Sequence, residues 1–138
     1  MKVKCIANTG LNLSTKSIEI GYTKQARFDL SVGEIYTVYS MLIFKEAIEY
    51  LISKGPLEKP FWYTAELFDI VDNQLSFQWF FVFRGYDHPE EVQDLSVAIW
   101  GYREMVFDDR HRLDLIEREP EALKVFFKRK QEMDELDI

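Results

Sequence analysis

The chain has 138 residues, of which 47% are hydrophobic and 30% charged, which bounds it to a single globular domain over residues 1–138 and excludes a multidomain assembly. An aromatic share of 15% excludes intrinsic disorder, and a net charge of -7 argues against attraction to nucleic acid or anionic lipid, both of which reward clustered Lys and Arg. The one cysteine, Cys5, leaves no intramolecular disulfide framework and no multi-cysteine zinc site.

Residues 2–7 alternate polar and apolar, placing Val3 and Cys5 on one face of a half-buried strand. No apolar run followed by a small-residue cleavage site opens the chain, and no stretch approaches the ~20 apolar residues of a membrane span. A soluble, cytosolic protein is therefore expected. The Asn, Gly and Ser punctuation of residues 8–16 reads as a loop, and residues 18–22 as a short extended piece. Gly33 marks a turn. Residues 35–44, dense in β-branched and aromatic side chains, form a long strand. Residues 46–53 fit alternation and helical spacing about equally; the strand reading is preferred because Gly55-Pro56 ends the run and a hairpin with the preceding strand is near.

Residues 54–60 are turn-rich, and Thr64 caps a single helical turn after Phe61-Trp62-Tyr63. Residues 68–73 give a short strand closed by a turn, and residues 76–84 are aromatic enough for a central strand. An acidic loop spans residues 86–94, and residues 95–106 read as a further strand with a bulge at Gly101. The last element is the clearest. Pro120 suits a first helical position, Glu121 the first turn, and Leu123, Phe126, Phe127 and Met133 line one face. Asp134, Glu135 and Asp137 oppose the dipole at the far end, which should fray. Several short strands and one terminal helix, without strand-helix alternation, indicate an α+β domain built on an antiparallel sheet.

The charge is regional. Residues 1–69 carry eight bases and eight acids, whereas residues 87–121 carry eleven acids and four bases, an excess equal to the whole -7. A field of one sign steers an oppositely charged partner and raises its association rate.

Chemistry is harder to find. Of the two histidines, His111 in Asp108-Asp-Arg-His-Arg reads either as a base oriented by Asp108 or Asp109 or, preferably, as a solvent-facing residue of a charged loop, since no motif ties a nucleophile to it. His88 with its acidic neighbours lacks calcium-loop spacing. No phosphate-binding glycine motif and no nucleophile elbow is present, and adjacent acids such as Glu90-Glu91 read as solvated. Neither an enzyme nor a cofactor is expected. Phe61, Trp62, Tyr63, Trp79, Phe80, Phe81, Trp100 and Tyr102 either fill the core or form an exposed platform. If Trp79 and Phe81 point inward, Phe80 faces the other side and needs cover from the C-terminal helix or a partner.

Acids that steer and aromatics that anchor are what a protein-binding module requires. The candidate partner-binding residues are Asp87, Glu90, Glu91, Asp94, Asp108 and Asp109 with Trp62, Tyr63, Tyr86 and Tyr102. The alternative is a small-molecule or regulatory module built on an aromatic pocket.

Val32-Gly-Glu-Ile-Tyr-Thr-Val-Tyr, Phe61-Trp-Tyr-Thr-Ala-Glu-Leu-Phe-Asp-Ile-Val-Asp and Ala98-Ile-Trp-Gly-Tyr resemble segments of small bacterial immunity proteins, the partners of polymorphic and contact-dependent-inhibition toxins. The first two segments also resemble SH3-like barrels. The resemblance implies a strongly curved antiparallel sheet, SH3-like or a related partly open barrel, and a cognate toxin domain, often a nuclease, bound and blocked in the cytosol. Such families share no catalytic motif, so the resemblance assigns no residue a role.

Overall fold

Ten residues rich in Ile, Tyr, Thr and Val make β2 (Ile35–Phe44) the long central strand, and the other elements are arranged around it. The computed structural model describes residues 1–89 and 93–136. One edge of β2 pairs with β3 (Ala47–Ile52), which pairs in turn with β4 (Phe61–Thr64). The other edge is shared. Residues 35–37 pair with β1 (Lys2–Cys5), itself paired with β5 (Phe68–Asp72), and residues 40–43 pair with β7 (Ala98–Gly101), whose far side takes β6 (Phe80–Phe83). All these pairings are antiparallel, the sheet does not close, and the class is α+β as expected.

A bulge in β2 determines where its side chains go. Val38 lies opposite Ile52 but Ser40 lies opposite Leu51, so Tyr39 is an extra residue and the inward-outward phase shifts there. Before the bulge, Tyr36 and Val38 pack with Val3, Cys5, Tyr50, Ile52 and Tyr63 in a first core. After it, Tyr39 and Leu42 join Leu51, Ile99, Tyr102 and Phe126 in a second.

The first core is roofed by residues 8–30, folded back on themselves through Phe28 N–H to Asn8 O (2.8 Å) and Gly10 N–H to Ala26 O (2.9 Å). Within this segment the extended piece expected at residues 18–22 is replaced by α1 (Thr15–Glu19). Tertiary contacts decide this: the helical turn buries Ser17 against Thr64, whose hydroxyls lie 3.1 Å apart, and Gly21, at φ +117°, carries the chain out. Thr64 caps a single 3-10 turn over Ala65–Leu67 as predicted, accepting from Glu66 N–H.

The second core is covered by helices. Residues 95–106 were expected as one strand, but β7 ends at Gly101 and α2 (Arg103–Phe107) begins, followed by α3 (His111–Ile116), which lies in the segment read as a charged loop. The close approach of Gly101 to β2 and the burial of Met105 and Val106 turn the chain at this point. Residues 76–84, expected as a central strand, contribute only the four-residue edge strand β6. The terminal helix α4 (Pro120–Leu136) forms as predicted, with Ala122, Phe126 and Met133 buried. Arg129 grips Glu104 of α2 through two parallel hydrogen bonds of 2.8 Å. In the last turn of α4, Asp134 accepts from Tyr39 Oη (2.7 Å) and Lys130 Nζ (2.7 Å); Asp137 lies outside the described residues. No helix among the described residues is long and apolar enough to cross a membrane.

A Cβ at position 101 would stand 2.6 Å from Ser40 Oγ, itself hydrogen-bonded to Trp100 O. Gly101→Ala should therefore destabilise the fold by about 1–3 kcal/mol, with Ser40→Ala recovering part of the loss. A Gly101→Ala midpoint equal to wild type in chemical denaturation would show that β7 and β2 do not approach as described.

Candidate functional site

Cross-strand register divides the β6–β7–β2–β3 end of the sheet into two faces. On one, Val82, Ile99 and Leu42 align in a row, and Phe80, Gly101, Ser40 and Leu51 in another; α2, α3 and α4 cover this side. On the other, Phe83, Ala98, Ile43 and Ile48 form one row and Phe81, Trp100, Met41 and Tyr50 the next. Toward β3 and β4 this second face is roofed by the residue 8–30 segment, where Phe28 meets the Tyr63 ring edge-on at 6.1 Å. Toward β6 it is left open. Phe83 is 64% exposed, Phe81 49% and Ile48 43%, with Phe81 and Trp100 in ring contact at 4.6 Å. An apolar surface this continuous is the usual mark of a protein contact.

The strand phase differs from the expectation. Trp79 lies in a turn closed by its N–H on Ser76 O, outside the alternation of β6, and packs against both cores. Phe80 is on the helix-covered side, its ring 5.3 Å from Phe107, and Phe81 is on the open side.

Acidic residues lie on the segments that meet past the end of β6. Arg84, one residue past β6, donates through Nη2 to Val106 O at 3.0 Å, which ties the end of β6 to the end of α2. Tyr86 and Asp87 follow on one side of that tie, and Asp108 and Asp109 follow Phe107 on the other; all four are exposed. Asp108 also accepts from Arg110 N–H, which fixes the turn into α3. Glu90 and Glu91 lie outside the described residues. Arg103 stands 5.6 Å over the Phe107 ring, and Arg110 is engaged by Asp114 and Gln93.

The remaining candidates are not on this surface. Asp94 is fully buried: its Oδ1 accepts from Ser96 N–H (2.9 Å) and Arg112 Nε (3.1 Å), so the carboxylate is part of the interior. Nothing in the spacing of Asp94 and Arg112 revealed the pair. Tyr63 belongs to the first core and Tyr102 to the second, where its hydroxyl lies 2.6 Å from His111 Nε2. His111, read as solvent-facing, is buried because α3 turns it inward. Trp62 is half-buried in a cleft of about 370 Å³ between β4 and α3, lined also by Phe61, Leu51, Leu115, Arg112 and Arg118. Arg118 donates to Pro60 O (2.6 Å) and stacks over Phe61 at 4.3 Å.

Removing one member of a buried ion pair strands the other charge. Asp94→Ala should cost about 3–5 kcal/mol, and a joint Asp94→Leu and Arg112→Met replacement should restore most of it, measured by denaturant unfolding. Equal losses in the single and double variants would refute the pairing. Burial pushes the His111 imidazole pKa below its ordinary 6.5 against the opposing pull of Asp108, Glu104 and Asp114. Below pH 6.5 the unfolded chain therefore takes up a proton that the folded chain refuses, and stability falls with pH. His111→Asn should flatten that slope between pH 6.5 and 4.5, above the ordinary glutamate range; an unchanged slope would refute the assignment.

Comparison of the chain with family models, with curated proteins and with solved structures gives no match.

Proposed function

We propose that the chain is a non-enzymatic protein-binding module that neutralises a basic partner in the cytosol, as an immunity protein neutralises a toxin domain. The observation that carries this reading is the open face of Phe81, Phe83 and Trp100, with exposed Asp87, Asp108 and Asp109 on the two chain segments that Arg84 ties together past the end of β6. Aromatic anchors in a water-excluding patch supply the binding energy, and acids at its margin raise the rate of encounter. His111 and Tyr102, a close pair of titratable side chains beside the second core, are closed off from solvent, which favours binding over catalysis there. The cleft holding Trp62 and Arg118 favours a second reading, a module for a small apolar ligand.

The first reading is tested by co-expressing the chain with the C-terminal domain of whatever product is encoded immediately upstream of its gene. Restored growth and a purified complex whose association slows with added salt are expected. Reversing Asp87, Asp108 and Asp109 to Lys together should slow association by about tenfold or more, while Phe83→Ala acts mainly on dissociation. Absence of a complex, or association indifferent to the reversals, would overturn the proposal.

A further inference from the structure

The backbone of β6 has a direction as definite as its side chains. The hairpin joining β2 to β3 turns through two residues, Lys45 and Glu46, and closes on the pair Phe44 and Ala47. In such a hairpin the closing pair is hydrogen-bonded, and hydrogen-bonded and non-hydrogen-bonded pairs alternate from there. Phe44, Leu42 and Ser40 thus address β3, and Ile43 and Met41 address β7. The partners of those two, Ala98 and Trp100, use their N–H and C=O groups on β2, which leaves Ile99 and Gly101 to pair with Val82 and Phe80. Arg84 N–H bonding to Val97 O at 2.7 Å, two residues beyond Val82, has the same phase.

The consequence is that the main-chain N–H and C=O of Phe81 and Phe83 point away from β7, along the free edge of the sheet. Among the described residues no group is hydrogen-bonded to them. The same two residues present their side chains on the open face. Natural edge strands are protected by Lys, Pro, charge or a bulge. The other free edges have such protection: β5 carries Asp69 and Asp72, and the end of β4 is blocked by Arg118 on Pro60 O. The β6 sequence Phe-Phe-Val-Phe has none.

We propose that β6 is a docking edge that accepts an extended strand of the partner, one whose residues alternate between basic and apolar. This rests on the protein-binding reading above and adds the mode of recognition. An incoming strand bonds to the N–H and C=O of Phe81 and Phe83 and extends the sheet by one strand. Its apolar side chains fall on the open face beside the Phe81 and Phe83 rings, and its alternate side chains fall on the helix side, toward Phe80, Phe107, Asp108 and Asp109. Among the described residues, Asp87, Asp108 and Asp109 outnumber the two cations beside them that no carboxylate pairs, Arg84 and Arg103, so that side selects Lys or Arg. A second copy of the chain would bring the same acids together and is disfavoured by the same charges.

The probe is the capped peptide acetyl-Lys-Val-Lys-Val-Lys-Val-Lys-amide, with the corresponding Glu-Val peptide as control, added to ¹⁵N-labelled protein. Amide exchange at Phe81 and Phe83 should slow by on the order of tenfold with the Lys peptide and not with the Glu peptide. Phe81→Pro removes an outward N–H without touching a bond to β7, so it should fold and fail to bind, whereas Phe81→Ala should keep weakened binding. Unchanged exchange at these two amides in the wild-type protein would overturn the proposal whether or not the proline variant folds. So would protection confined to β4 or β5, or full binding by a folded Phe81→Pro. Protection that grows with protein concentration in the absence of peptide would assign the edge to a second copy and overturn the choice of occupant. If Phe81→Pro still binds the co-expressed partner and only the charge reversals impair it, strand addition fails while the protein-binding reading stands.

Discussion

One extra residue in one strand organises this molecule. A strand ten residues long with strict alternation would bury the same face from end to end and could serve only one core. Tyr39 breaks that alternation, so β2 contributes Tyr36 and Val38 to one core and Leu42 to another on the opposite side of the sheet. The split of its outer edge between β1 and β7 follows the same division. Tyr39 is itself fixed at three points: its ring meets Phe126 edge-on at 5.9 Å, its hydroxyl holds Asp134, and Lys130 sits 4.9 Å above it. The sheet and the last helix are joined at the residue that sets the phase of both cores.

The same shift accounts for the open aromatic face. The residue 8–30 segment covers the first core and the helices cover the second, each on its own side. Near β6, beyond the reach of the first cover and on the wrong side for the second, Phe81 and Phe83 have neither. Their exposure is a geometric result of two one-sided covers placed on one continuous sheet, and it coincides with the acidic stretch that connects β6 to β7 and α2 to α3.

Much of this was legible beforehand. The alternation at Val3 and Cys5, the β-branched density of β2, the capping Thr64 and the apolar stripe of α4 are local signals, and each led to the element that forms. What could not be read depended on contacts between distant residues. α1 exists because Ser17 finds Thr64, forty-seven residues away, and β7 stops at Gly101 because Ser40 lies against it. The acids divided for the same reason: Asp87, Asp108 and Asp109 stayed at the surface, whereas Asp94 is drawn inside by Arg112, eighteen residues on, a pairing that charge counting along the chain does not detect. Aromatic runs likewise announced burial in general, while register decided that Tyr63 is inside and Phe81 and Phe83 outside, and the turn from β7 into α2 carried Tyr102 inward.

The two cores also differ in when they can be completed during synthesis. Every buried residue of the first lies between Val3 and Phe68, so all its parts have been made while the helices are still being translated. The second needs Tyr39 and Leu42 from that early segment together with Phe126 and Met133 from the last helix. Until α4 has been made, Tyr39 and Leu42 in the far half of β2 lack the Phe126 and Met133 that complete their core. In a nascent chain, an apolar half-strand that waits for its last cover is a surface open to whatever else is extended and apolar nearby.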